Sequence, residues 1–182
     1  TALKVKNAIV DFQRKLWGER SSINLSQPDL SIHVHLSNGK AILSFDGSGE
    51  SLHRRGYRSA MGIAPLKENL AAGLIKITDW DASIPIVDPF CGSGTFLIEA
   101  AQIKCKAASN LGRSFLFEKW PDFDKKVWLL EREKAELKNS LKDKIELPLL
   151  IGCEQNRQTY LEAKSNIDSA GFKNRITLYN HH

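Results

Sequence analysis

Ten consecutive residues constrain this chain more than any others: Ile86-Val87-Asp88-Pro89-Phe90-Cys91-Gly92-Ser93-Gly94-Thr95. An apolar run beginning at Ile84 ends in an acid, a proline and two glycines, and an amphipathic segment follows directly. That order predicts strand, tight loop, helix, the opening unit of an α/β fold that receives a nucleotide-type cofactor. Gly92 and Gly94 can take backbone angles closed to other residues, which lets the loop pass close beneath a ligand. Asp88 falls at the expected carboxyl end of the strand, where ligands of open α/β sheets collect. A carboxylate there suits a cationic or hydroxyl-rich group.

The loop is a poor phosphate binder. A dinucleotide fingerprint wants a small residue at the third glycine position, where this chain has Leu97, a side chain expected to hinder close helix–strand packing. A phosphate loop wants lysine after its last glycine, and here Thr95 and Phe96 follow Gly94. A second acid is expected at the end of the next strand, to hold ribose hydroxyls. Glu154 fills that place, closing the apolar run Leu147 to Cys153. The alternative role for Glu154 is to cap the helix that starts nearby. That helix is expected from Asn156 and Arg157 to Ala170, with Gly171 as its C-cap.

The 182 residues suffice for one domain, or for one small domain and part of another. No apolar stretch is long enough for a membrane helix, and the first residues do not read as a signal peptide. Cys91, Cys105 and Cys153 lack C-x-x-C spacing, so neither a zinc site nor a disulfide framework is indicated; buried thiols in a cytoplasmic protein are expected. Charge is unevenly placed. Residues 1–58 carry nine Lys/Arg against five Asp/Glu, and the remainder seventeen against sixteen. A basic amino-terminal part beside a nearly neutral cofactor domain suits a nucleic-acid substrate.

Leu3, Val5, Ala8, Ile9, Phe12, Leu16 and Trp17 recur at helical spacing, predicting an amphipathic helix that stops near Gly18. Leu30 to Leu36 alternates as a strand, Asn38-Gly39 marks a hairpin turn, and Ala41 to Phe45 pairs back. His33 and His35 share the polar face of the first strand and are read as solvated rather than metal-binding. Helix and hairpin together read as the end of an α+β domain. A connector leads to Leu52-His53-Arg54-Arg55-Gly56-Tyr57-Arg58. Its arginines and tyrosine can grip phosphates and stack on a base, or can pin two domains together through carboxylates and carbonyls. Ala64-Pro65 is expected to open a helix through Leu66, Leu70, Ala71, Leu74 and Ile75. A helix from Thr95 to about Ala108 follows the glycine loop. Then comes an aromatic insertion with a charged helix from about Lys125 to Lys144, which separates Glu154 from the loop. Phe115, Phe117, Trp120, Phe123 and Trp128 could line a base pocket, but are expected instead to anchor the insertion onto the core. Arg175 to Tyr179 reads as a third strand, and His181-His182 as a tag remnant.

Asp88-Pro89-Phe90-Cys91-Gly92-Ser93-Gly94-Thr95 closely resembles motif I of the class I S-adenosylmethionine-dependent methyltransferases. The run 52–58, Ala64 to Ala72, Val87 to Ala101 and Phe117-Glu118-Lys119-Trp120-Pro121 together resemble the THUMP-containing RNA guanine-N2 methyltransferases, whose bacterial members modify 23S ribosomal RNA. The resemblance implies the first half of a Rossmann-like class I methyltransferase fold, preceded by the C-terminal end of an α+β THUMP domain. It places a THUMP-like part at 1–47, an arginine-rich linker at 48–62 and the methyltransferase half at 63–180. Asp88, Pro89, Phe90, Cys91, Gly92, Gly94 and Thr95 would then surround S-adenosylmethionine, with Glu154 on the ribose. Arg54, Arg55, Tyr57 and Arg58 would meet RNA. The family more often has aspartate at the Glu154 position, and the acid expected after the third strand is absent. No Asn/Asp-Pro-Pro-Tyr/Phe tetrapeptide occurs in the 182 residues. That motif would accept hydrogens from the target amine and stack on the flipped base, so no catalytic residue is assigned. The stretch is therefore expected to be inactive by itself. Two rival readings are a DNA adenine or cytosine amino-methyltransferase and a non-catalytic RNA-binding module with a vestigial cofactor fold.

Overall fold

The structure, a computed structural model, describes residues 2–58 and 65–181. Ala64, expected to open a helix, lies outside the described residues, as do 59–62 of the linker and His182. The chain divides into two compact units.

The first unit comprises residues up to Gly49 together with Ser114–Phe123. Its helix α1 spans Ala2–Trp17 and ends at Gly18, whose φ of +75° closes the last turn. The helix forms as its spacing predicts, but the face differs. Val10 is its buried residue, whereas Leu3, Phe12, Leu16 and Trp17 are exposed. Strands β1 (Ser31–Ser37) and β2 (Lys40–Asp46) pair antiparallel with Ser37 opposite Lys40, so the turn is Asn38-Gly39. Both turn residues have positive φ, 49° and 71°, as a two-residue hairpin loop demands. His33 and His35 are exposed, and His33 Nε2 lies 3.8 Å from Asp46 Oδ2.

The aromatic segment Ser114–Phe123 of the insertion belongs to this unit, whereas Trp128 and the charged helix belong to the second. Phe117 N–H donates to the Gly47 carbonyl at 3.0 Å, and a Cβ at Gly47 would stand 3.4 Å from the Trp120 ring. Phe115 stacks on Phe117 at 5.4 Å, and Phe123 tilts against Phe117 at 5.9 Å. The rings hold a short 3-10 turn, Leu116–Lys119, within the amino-terminal unit.

The second unit contains the linker residues 50–58 and a parallel three-stranded sheet. Helix α2 (Glu68–Ile77) starts later than expected; Pro65 lies outside it, and the extended residue before its first turn is Lys67. Strand β3 (Ile86–Asp88) runs into α3 (Thr95–Lys104). Helix α4 (Lys125–Ser140) is capped by Asp124, which accepts from Lys126 and Val127 N–H. Strand β4 (Leu150–Cys153), helix α5 (Arg157–Ser169) and strand β5 (Thr177–Tyr179) complete the order. β4 is central, with β3 and β5 parallel on either side. Read inward from β5 the order is third, second, first, the arrangement of the first half of a doubly wound fold.

The core explains why α3 lacks a polar face. Leu97, Ile98, Ala100 and Ala101 are all fully buried, so the helix is covered on most sides. Leu97, expected to obstruct packing, is accommodated from the strand side. Gly152 of β4 leaves the room that a third loop glycine leaves elsewhere: a Cβ there would stand 2.6 Å from Leu97 Cδ1, 2.7 Å from Leu178 Cδ2 and 2.9 Å from Cys91 Sγ.

Candidate functional site

The carboxyl ends of β3 and β4 gather the residues that sequence singled out. Asp88 pairs with Gly152 across the two strands, so Asp88 and Glu154 emerge on the same edge of the sheet. Asp88 Oδ1 accepts the Phe90 N–H at 3.1 Å, which bends the chain at Pro89. Phe90 projects outward and is 89% exposed. Cys91 N–H donates to the Cys153 carbonyl at 2.9 Å, tying the loop to the end of β4. Gly94 N–H then donates back to the Cys91 carbonyl at 2.8 Å and closes the turn.

Gly92 and Gly94 both have positive φ, 53° and 80°. They serve different ends. No atom lies within 4 Å of a Cβ built on Gly92, so that side of the loop is open. A Cβ on Gly94 would touch Ala163 and Ile167 at 3.5 and 3.6 Å, so this glycine also admits the close approach of α5.

Burial pushes the Cys91 thiol up to about 12, and the negative charges of Asp88 and Glu154 add to the effect. The strand register and the bond from Cys91 N–H to the Cys153 carbonyl place the ends of β3 and β4, and so Asp88 and Glu154, beside the loop. Cys91 itself is a neutral packing residue at this site.

Glu154 is bonded to the chain just before the helix but is not its cap. Its Oε1 accepts the Asn156 N–H at 2.7 Å, and its backbone N–H donates to the Tyr179 carbonyl at 3.0 Å. The helix cap proper is Asn156, whose Oδ1 accepts from Thr159 N–H at 3.0 Å. A carboxylate has several acceptor sites, so orienting Asn156 leaves Glu154 capacity for ligand hydroxyls. Asn180, just beyond the third strand, donates from its amide to the Glu154 and Gln155 carbonyls at 2.7 and 3.1 Å.

Thr95 is brought to the loop but turned inward. It is 3% exposed, and its hydroxyl accepts from Arg58 Nη2 at 2.6 Å. The rest of the arginine run behaves similarly. Arg55 Nη2 lies 3.4 Å from Glu99 Oε2, and the Tyr57 hydroxyl donates to Glu99 Oε1 at 3.2 Å. Arg58 Nε lies 3.6 Å from Glu68 Oε1. Glu99 and Glu68 are 2% and 3% exposed, so breaking either pair from one side would strand a buried charge at a cost of about 3–5 kcal/mol. Burial raises the Glu99 carboxyl above the ordinary range, opposed by Arg55 and by the Tyr57 hydroxyl. Arg55, Tyr57 and Arg58 thus fasten the linker to α2 and α3, within one unit. Arg54 remains outward, its guanidinium 4.0 Å from Glu50.

Two further contributors went unnoticed in the sequence. Asn166, 1% exposed on α5, donates to the Ser93 carbonyl at 3.1 Å and holds the back of the loop. Its signal was a polar residue on the buried face of an amphipathic helix, beside Ala163 and Ile167. The other is Gly152. An open cleft of about 590 Å³ lies at the amino ends of β4 and β5, between Asp143–Leu149 and Asn174–Thr177. It faces away from the loop, on the sheet edge where ligands of such folds do not collect. Among the described residues no cluster of His, Cys, Asp and Glu could hold a metal. No described helix is long and apolar enough to cross a membrane.

Fold and site together define the nucleoside-cofactor half of a class I methyltransferase-type α/β domain. Residues 55–182 match the UPF0020 model, described as an RMKL-like methyltransferase domain, and the chain belongs to that family. Residues 1–46 match the THUMP domain model. Among relatives, the chain is 45% identical over 179 residues to the Synechocystis sp. protein named "Putative RNA methyltransferase slr0064", covering 97% of this chain and 45% of that protein. It is 44% identical over 178 residues to ribosomal RNA large subunit methyltransferase K/L of Aliivibrio salmonicida, covering 97% of this chain and 25% of that protein. The chain therefore spans half or less of these relatives. Among solved structures, "SMU.472, a putative methyltransferase complexed with SAH" superposes with a TM-score of 0.81 at 33% identity, over 97% of this chain and 46% of that one. A Listeria monocytogenes protein described as a predicted N6-adenine-specific DNA methylase superposes with a TM-score of 0.77 at 33% identity, over 98% and 45%.

Proposed function

We propose that this chain supplies the cofactor-binding half of an S-adenosylmethionine-dependent RNA methyltransferase, and that the intact protein methylates the N2 amine of guanine in large-subunit ribosomal RNA. One observation carries the cofactor reading: Asp88 and Glu154 follow adjacent strand ends beside a loop whose Gly92 side is open. That donor set fits a nucleoside. Carboxylates match amino and hydroxyl groups, and the Gly92 side can admit a flat or sugar-like group against backbone. The residues matched by the methyltransferase model include the whole loop and Glu154, and the SMU.472 neighbour was solved with SAH.

In this reading Asp88 and Glu154 fix the two ends of the nucleoside, Phe90 offers its exposed ring to a flat surface, and the glycine loop sets the depth. The cofactor supplies an electrophilic methyl group, and transfer to an amine requires alignment more than acid–base help. No residue of this chain is assigned to the amine. RNA as the polymer is supported by the THUMP match, by the names of the two relatives and by the basic amino-terminal part. Of the linker side chains, Arg54 is the one we assign to phosphate, because Arg55, Tyr57 and Arg58 are engaged internally.

The description of the Listeria neighbour favours a second reading, in which the polymer is DNA. The test is methylation by the intact protein of ribosomal RNA and of DNA, with the product nucleoside identified by mass spectrometry. N2-methylguanosine from RNA is expected, and preferential transfer to DNA would overturn the substrate assignment. In the same protein Asp88→Ala should abolish S-adenosylmethionine binding in calorimetry while the circular dichroism spectrum is kept. Unchanged affinity would remove Asp88 from the site.

A further inference from the structure

Thr95 and Glu99 lie four residues apart on α3 and so share one face of that helix. The linker covers this face with two parallel sets of contacts. Arg55 and Tyr57 meet Glu99, and one turn nearer the loop Arg58 meets Thr95. Arg58 is fixed on two other sides. Its Nη2 also donates to the Leu66 carbonyl at 2.9 Å, and its Nε lies 3.6 Å from Glu68 Oε1. Its side chain is 12% exposed and that of Glu68 is 4% exposed, so the guanidinium is largely withdrawn from water.

Thr95 is the first residue of α3 after Gly94, and its hydroxyl lies 3.2 Å from that of Ser93. Gly94, at the N-cap, has no side chain with which to fix the start of the helix. Ser93 is held from behind by Asn166. The side facing the linker is held by the contact between Arg58 and Thr95. A buried ion pair alone would need only Arg58 and Glu68; the third bond is what carries its rigidity into the loop.

We propose that Arg58 is a positioning residue for the cofactor loop, acting through the Thr95 hydroxyl to hold Ser93 and Gly94 in the conformation that receives the nucleoside. The inference rests on the cofactor reading above. Arg58 is a poor probe, because its removal strands the buried Glu68. Thr95 is the better one. Thr95→Val keeps the shape and loses the hydroxyl, and Thr95→Ser restores it.

The experiment is calorimetry of S-adenosylhomocysteine binding to the intact protein and its variants. Thr95→Val is expected to weaken binding roughly tenfold, the effect of losing one charge-assisted hydrogen bond. Thr95→Ser should stay within about twofold of the unsubstituted protein. Phe172→Leu, which trims a fully buried ring elsewhere in the core, should lower stability and leave affinity unchanged, separating positioning from general loosening. Equal affinity in Thr95→Val and the unsubstituted protein would overturn the inference, as would equal weakening in Phe172→Leu. No binding by the unsubstituted protein would overturn the cofactor reading, and this inference with it.

Discussion

Gly152→Ala tests whether the strand glycine makes the site possible. The added methyl would stand 2.6 Å from Leu97 Cδ1, 2.7 Å from Leu178 Cδ2 and 2.9 Å from Cys91 Sγ. Carbon atoms in a packed interior sit about 3.5–4.0 Å apart, so two leucine methyls must each retreat by roughly 1 Å. Leu97 is fully buried and Cys91 is 7% exposed, which leaves little free volume for the retreat. Overpacking of this kind costs about 1–3 kcal/mol. Replacing a strand glycine offsets about 0.5–1 kcal/mol of that through the unfolded chain. Three simultaneous contacts favour the upper part of the range, so the net loss should be about 1–2 kcal/mol.

In a protein of more than one unit, the loss is best read locally, by hydrogen exchange of the peptide covering β4 and Glu154. A loss of that size corresponds to exchange roughly 5–30 times faster. Because Cys91 is one of the displaced atoms, cofactor affinity should fall as well. Leu97→Ala in the Gly152→Ala background should cost less than it does alone, with a favourable coupling of about 1 kcal/mol. Exchange at the unsubstituted rate, or strictly additive effects of the two substitutions, would refute the steric argument.

What could be read without the structure divides along a physical line. Local backbone chemistry was legible: Asn38-Gly39 dictated its hairpin, Gly18 and Gly171 ended their helices with positive φ, and the glycine loop joined β3 to α3. Periodicity located α1, yet its apolar stripe is largely exposed and Val10 is buried instead, because periodicity records which residues are apolar and not what covers them. The strands proved shorter than their apolar runs. Leu147 and Pro148 precede β4, and Ile84 and Pro85 precede β3; Leu147 still packs against the core outside the ladder, whereas Ile84 is exposed. Leu97 looked like an obstacle because the compensating vacancy lies at Gly152, 55 positions away and visible only after β4 is laid beside α3. The arginine run shows the same limit. Composition cannot distinguish a guanidinium meant for phosphate from one meant for Glu99 or Glu68, acids that lie 44 and 10 residues further on. Nor does an aromatic insertion announce which unit it serves; the Gly47 carbonyl and the space above it decided that.

Two further outcomes follow from the buried titratable groups. With its thiol held near pKa 12, Cys91 should react with iodoacetamide at pH 8 about 10²–10³ times more slowly in the folded protein than after unfolding, as peptide mass spectrometry would show; comparable rates would contradict its burial. Glu99 should make stability depend on pH in an unusual direction for a carboxylate. Burial raises its folded pKa above the ordinary value of 4.5, so the folded chain holds this proton more tightly than the unfolded chain does. The associated stability is complete below about pH 4.5 and is lost as pH rises through the raised folded value. Glu99→Gln keeps an acceptor for Tyr57 and Arg55 but cannot ionise. Its stability relative to the unsubstituted protein should therefore improve with pH across that window, in denaturation series from pH 4 to 8. Parallel curves for the two proteins would mean that Arg55 and Tyr57 compensate burial completely, and that Glu99 is ionised in the fold at no cost.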